Sequence, residues 1–171
     1  MGKLSGVVTG LVISNVDPDG QGRVQVSFPW LGGQNNSYWA PVATLMSGSQ
    51  RGSWFMPVVG DEVLVAFNQE DVSHPYVVGF LWNGSDTPPT SDVNLRTIHS
   101  VNGHEVQLYD PIVSGGDQGY IRIQHSRGGG TTNVVEINNT SIVIKSDSAV
   151  VIQAPSVTIN GRPVSISAEP I

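Results

Sequence analysis

The feature that most constrains this chain is a faint repeat near its C-terminus, where branched apolar residues in i, i+2 pairs return every seven or eight positions. The pairs are Val135/Ile137, Ile142/Ile144, Val150/Ile152 and Val157/Ile159, and first and second members step together. Alternation within a pair is strand periodicity and turns Glu136, Val143, Val151 and Thr158 to the opposite face. Asn139, Asp147-Ser148 and Ala154-Pro155 read as corners, so the pattern predicts a ladder of five-residue strands. One copy can do little to bury such a ladder. A three-faced solenoid takes about three periods per turn, so residues 135–159 supply about one turn, where stacked repeats need at least ~3 units to share a core. The economical solution is that several identical chains wind together, bringing the eight aliphatic side chains onto their counterparts and closing exposed sheet edges.

The two parts of the chain differ in texture. Residues 1–93 hold all four tryptophans, whereas residues 94–171 hold none and are rich in Val, Ile, Ser, Asn and Gly. That contrast predicts a small domain over 1–93 followed by a fibrous appendage over 94–171. With 13% charged residues, 20 glycines, 11 prolines and no apolar helical stripe beyond two turns, the chain reads as all-β. Net charge is −5 over residues 1–93 and −1 over the remainder, which argues against nucleic-acid phosphate and anionic headgroups as equilibrium partners. The absence of cysteine excludes disulfides and thiolate metal sites. The opening residues lack the apolar run of a signal peptide, and no run reaches the ~18 residues of a membrane span, so synthesis in the cytoplasm is expected.

Five strand candidates fill the first part: residues 6–16, 23–28, 39–45, 62–67 and 76–82. Turn chemistry bounds them, at Asp17-Pro18-Asp19-Gly20, residues 31–37, Val59-Gly60-Asp61 and Ser73-His74-Pro75. Five short strands in about 80 residues suit a small closed barrel better than an open sheet, with Gly10 and Gly79 placed to let strands bend at its corners.

Several segments of this part occur in a familiar order. They are Asp17-Pro18, then Gly22-Arg23-Val24-Gln25-Val26, Phe28-Pro29-Trp30, Trp39-Ala40, the run from Arg51-Gly52-Ser53-Trp54 to Ala66-Phe67, and Pro75-Tyr76-Val77-Val78-Gly79-Phe80-Leu81-Trp82. Taken together they resemble the oligonucleotide/oligosaccharide-binding (OB) type barrel of the phage baseplate assembly protein V family, which also occurs in the VgrG spikes of type VI secretion. Asn94-Leu95-Arg96-Thr97-Ile98 and Gly103-His104-Glu105 are similar to that family's exit from barrel to shaft. The resemblance implies an all-β chain in which a five-stranded OB barrel precedes an intertwined trimeric β-helix or β-prism shaft. It also implies a function, the structural central spike of a contractile phage tail or phage-like injection particle. Its partners would be two further copies, a separate hub protein at the tube end and, transiently, the target's outer membrane, which the spike pierces. The terminus beyond Gly161, where Pro163 and Pro170 cannot donate ladder hydrogen bonds, would end bluntly or dock a separate tip protein. The place of action would be a virion baseplate or an extracellular particle.

Enzyme chemistry finds no constellation to rest on. His74, His99, His104 and His125 include no i, i+2 pair that would put two imidazoles on one strand face, so no metal is expected, nor any cofactor. Gly60-Asp61-Glu62 reads as a turn opening a strand, and Ser126-Arg127-Gly128-Gly129-Gly130 as a loop without the features of a phosphate cradle. Residues 110–119 and 126–132 are expected to be loops interrupting the ladder. Trp30, Trp39, Trp54 and Trp82 read as core and subunit contacts rather than a sugar platform. The apolar loop Trp54, Phe55, Met56, Pro57 is the candidate contact with a hub or a neighbouring subunit. The rival function is a trimeric carbohydrate-binding module whose tail serves as an oligomerising stalk.

Overall fold

The computed structural model describes residues 6–31, 37–112, 118–127 and 130–164. The chain divides into two compact units, Met1–Pro88 and Pro89–Ile171. Both are built of strands, and among the described residues the helical content is two short 3-10 turns, Pro29–Leu31 and Asn68–Glu70.

In the first unit the strands are β1 (Val7–Ser14), β2 (Arg23–Ser27), β3 (Ala40–Pro41), β4 (Ser47–Gly48), β5 (Arg51–Gly52), β6 (Glu62–Phe67) and β7 (Pro75–Leu81). Five of them form an antiparallel sheet in the order β3-β2-β1-β6-β7. Its two edges nearly close on each other: Val42, just past β3, bridges Val77 of β7 in parallel, and the Ala43 N–H donates to the Val77 carbonyl at 2.8 Å. The result is a five-stranded barrel of OB topology. Alternation along the strands selects its interior, with Val24 and Val26 of β2, Val63 and Val65 of β6, and Val77 of β7 buried together with Val12, Phe28 and Ala40. Tryptophan contributes nothing to this core, contrary to part of the sequence expectation. Trp30, Trp54 and Trp82 are exposed and Trp39 is half-buried, because a barrel this small is filled by β-branched side chains and one phenylalanine.

The expected strand 39–45 shortens to two residues. Upstream of it, Ser37 already satisfies Val26 from both sides, its N–H donating to the Val26 carbonyl at 2.7 Å and its Oγ accepting from the Val26 N–H at 2.9 Å. Pro41 then removes a donor from the ladder. At Gly10 a Cβ would lie 2.3 Å from Val26 Cγ1 and 2.8 Å from the Ser27 carbonyl oxygen, so only glycine lets β1 cross β2 so closely. Gly79 faces no such crowding and instead sits beside a bulge at Val78, where the β6–β7 register shifts.

The second unit is a meander of β8 (Leu95–His99), β9 (Glu105–Tyr109), β10 (Tyr120–Arg127), β11 (Gly130–Asn138) and β12 (Ile142–Lys145), each antiparallel to the next. A hairpin of β13 (Thr158–Ile159) and β14 (Arg162–Pro163) follows. Three sequence expectations change here. The segment 126–132 is largely strand: β10 runs to Arg127 and β11 starts at Gly130, with Gly128 and Gly129 outside the described residues. Within the single chain the ladder of short strands is not seen past β12: Val150 and Ile152 lie in no strand and are exposed, and among the described residues no strand pairs with the outer edge of β12. Pairing also does not stop at Gly161. Asn160 and Gly161 both take positive φ, +50° and +73°, and fold Arg162–Pro163 back on Thr158–Ile159. Of the expected loop 110–119, residues 113–117 lie outside the described residues.

Candidate functional site

The register of the meander places aliphatic side chains in two cross-strand rows on one face. One row is Ile98, Val106, Ile123, Val135 and Ile144, and the other is Leu108, Ile121, Ile137 and Ile142, ended by Arg96 on β8. These nine aliphatic side chains remain between 38% and 71% exposed. A monomeric protein rarely presents so continuous an apolar patch.

The opposite face is largely polar, and most of its polar side chains pair with one another, Thr97 Oγ1 being the buried exception among the described residues. Arg122 donates from Nε to Glu136 Oε2 at 2.8 Å and lies over the Tyr120 ring at 4.3 Å, while Asn138 Nδ2 donates to Glu136 Oε1 at 3.0 Å. The Arg122 guanidinium, and then Asn138, hold the Glu136 carboxyl below the ordinary carboxylate range. Glu105 accepts from Gln107 and, at 2.9 Å, from Gln124; Gln107 in turn accepts from the Tyr120 hydroxyl at 3.3 Å. In this sheet most polar groups have found partners within the chain and the hydrocarbon has not.

Of the eight residues that the sequence singles out as shaft core, Val135, Ile137, Ile142 and Ile144 stand side by side on the apolar face. Val150, Ile152, Val157 and Ile159 lie outside the meander, with Ile159 in β13. The periodicity points to four of the nine. The other five members, Ile98, Val106, Leu108, Ile121 and Ile123, fall on strands of unequal length whose spacing shows no constant period, although each sits at an alternate position of its strand.

A second surface lies on the barrel unit. Met56 packs against the core and Pro57 is buried, its carbonyl accepting from Asn15 Nδ2 at 3.0 Å, so this half of the loop anchors the other. Trp54 and Phe55 project outward beside a groove of about 510 Å³, with the β4–β5 hairpin on its other side. Nearby, Asp17 organises the β1–β2 turn: its carboxylate accepts from the N–H groups of Asp19, Gln21 and Arg23 and forms a fork with the Arg23 guanidinium at 2.9 and 2.7 Å. Arg23 foremost, together with those N–H groups, holds the Asp17 carboxyl far below its usual range, and the same pair raises Arg23.

Gly60-Asp61-Glu62 is a turn, with Asp61 Oδ2 accepting from the Val58 N–H at 2.9 Å and Glu62 accepting from Asn83. Two imidazoles pair with carboxylates: His74 meets Asp71 at 2.9 Å, and His99 meets Glu105. His104 stacks on His125 of the neighbouring strand with ring centroids 4.5 Å apart, a cross-strand pairing that spacing along one strand does not reveal. Among the described residues no group of three or more His, Asp or Glu is arranged to hold a metal ion, and no helix is long and apolar enough to cross a membrane.

A nearly closed OB barrel joined to a β meander defines the class. Residues 8–82 match the family of the type VI secretion system/phage-baseplate injector OB domain, and the barrel of this chain belongs to that family. The chain is similar to the type VI secretion system spike protein VgrG3 of Vibrio cholerae serotype O1, 34% identical over 100 residues that make up 55% of this chain and 10% of that protein. It is also similar to two spike proteins of Pseudomonas aeruginosa. With VgrG5 it is 33% identical over 132 residues, 75% of this chain and 16% of the relative. With VgrG1a it is 27% identical over 158 residues, 84% of this chain and 24% of the relative. The chain thus spans between a tenth and a quarter of the length of these relatives.

Proposed function

We propose that this chain is the structural central spike of a contractile tail or phage-like injection particle, assembled as a homotrimer that meets a hub at the tube end and pierces the target envelope. Its kinship with spike proteins supports the role. The observation that carries the assembly is the apolar face of the meander, where two cross-strand rows of aliphatic side chains stand open in the single chain. Three sheets meeting through such faces bury the hydrocarbon and leave the Arg122–Glu136 network outward.

In this reading the second unit is the beginning of a shaft. Strands shared or packed between copies make bending cooperative, so sheath contraction would be transmitted to a small area of membrane. Val150 and Ile152, which lie in no strand within one chain, acquire partners from sister chains and continue the shaft towards a tip. Negative-stain images of the purified full chain test this: a tapered rod with a wider head is expected, and single compact particles of monomer size would contradict it.

A further inference from the structure

We propose that the groove beside the β4–β5 hairpin docks an extended segment of a partner protein, one that presents a large aliphatic or aromatic side chain next to a carboxylate. The proposal rests on the spike reading only for the existence of a separate partner; the site itself stands on the barrel unit. The floor is apolar and adaptable, formed by Val42, Met46, Trp54 and Met56, with Met46 and Trp54 more than half exposed.

The groove is built in advance of any occupant. Gly52 has φ +145°, and a Cβ there would lie 2.4 Å from the Met46 carbonyl oxygen, so the hairpin closes only with glycine at this position. Its stem is braced by Thr44 Oγ1 donating to the Ser53 carbonyl at 2.7 Å and by the Ser53 N–H donating to the Met46 carbonyl at 3.0 Å. On the far side the Trp54 ring rests against Gly22, where a Cβ would stand 2.9 Å from the ring. Preformed shape lowers the ordering cost of binding.

Charge selects the occupant. Residues 1–93 hold three basic residues against eight acidic ones, so a carboxylate binds this unit only where a guanidinium is locally free to outweigh the overall charge. Arg23 is engaged by Asp17 and Asp19. Arg51, also lining the groove, lies along the backbone of Gly48 and makes no ion pair among the described residues. A guanidinium beside an apolar floor recognises a carboxylate next to hydrocarbon, and it gives no comparable advantage to a neutral sugar stacked on Trp54.

The test uses the full chain labelled with 13C at its methionine methyls, of which Met46 and Met56 lie in the groove and Met1 is the first residue. The probes are the peptide acetyl-Ser-Leu-Phe-Asp-Ser-amide, its Asn counterpart and a chitin oligosaccharide. The Asp peptide is expected to shift the Met46 and Met56 resonances, with affinity falling roughly tenfold for the Asn peptide or for Arg51→Gln, the loss of a charged hydrogen bond. Trp54→Ala, which truncates an exposed ring, is expected to abolish the shifts while the barrel stays folded. No response to the Asp peptide at millimolar concentration, an equal response to the Asn peptide, or a response to the sugar alone would overturn the proposal. The solution mass of Arg51→Gln, expected to equal that of the parent chain, separates this site from the fate of the apolar sheet.

Discussion

Ile123 of β10 stands directly opposite Val135 of β11, and in the single chain the two side chains are still 56% and 40% exposed. Neighbours across an antiparallel pair touch each other but cover only their flanks, and their tips require a second layer. The polar network on the reverse face cannot supply it. A sheet finished on its hydrophilic side and open on its aliphatic side is half of a sandwich or one wall of a prism.

Ile144 ends the row that contains Ile123 and Val135. Ile144→Asp would set a carboxylate from each copy among hydrocarbon, and burying such charges without partners is strongly unfavourable. Loss of the assembly to single chains is expected. By contrast, Glu136→Gln on the reverse face is expected to leave the mass unchanged. Light scattering coupled to size exclusion reads both, and an intact Ile144→Asp trimer would place that residue outside the interface.

Asp17 gives the barrel a signature in acid. Its folded-state pKa is depressed below the ordinary value of 3.8, so its contribution to stability is complete above that value and is lost as pH falls below it, towards the folded pKa. Thermal unfolding followed by tryptophan fluorescence reports the first part of the chain, because all four tryptophans lie in residues 1–93. Asp17→Asn is expected to lower the melting temperature at neutral pH and to flatten its decline below pH ~4. A variant whose profile superimposes on the parent would show that the turn does not depend on the carboxylate.

Gly10 and Gly79 look alike in sequence and differ in the structure. At Gly10 an added methyl meets Val26 and the Ser27 carbonyl at sub-van der Waals distance, whereas at Gly79 the nearest neighbour is Leu64 Cβ at 3.9 Å. Gly10→Ala is expected to destabilise the barrel by about 2 kcal/mol or more, as overpacking of a tight site does. Gly79→Ala is expected to be near neutral. Denaturant midpoints of the two variants check the contrast, and equal midpoints would contradict it.

What could be read from the sequence follows from the range of the forces involved. The strand 62–67 was visible to the residue because alternation and a Gly-Asp turn are local, and the same holds for the Val24/Val26 pair. The strand at 39–45 is shorter than its alternation suggests, since its length is set by Ser37 pairing with Val26, a contact across 11 residues. Ala-Pro and Asp-Ser punctuation suggested rungs at Val150 and Val157 that one chain leaves without a five-residue strand. Asn160-Gly161 carried a hairpin signal that could have been read as such. The groove was legible only in its Trp54–Met56 wall: Gly22 and the hairpin that carries Met46 and Arg51 are set against that loop by the fold, which no spacing encodes.

The mass of the full chain in solution tests the central claim most directly. Sedimentation equilibrium is expected to give three times the 18.2 kDa chain mass at micromolar concentration, with the methyl groups of the meander's aliphatic face protected from solvent. A stable species of 18.2 kDa with the same sheet folded and its apolar face open to water would contradict it.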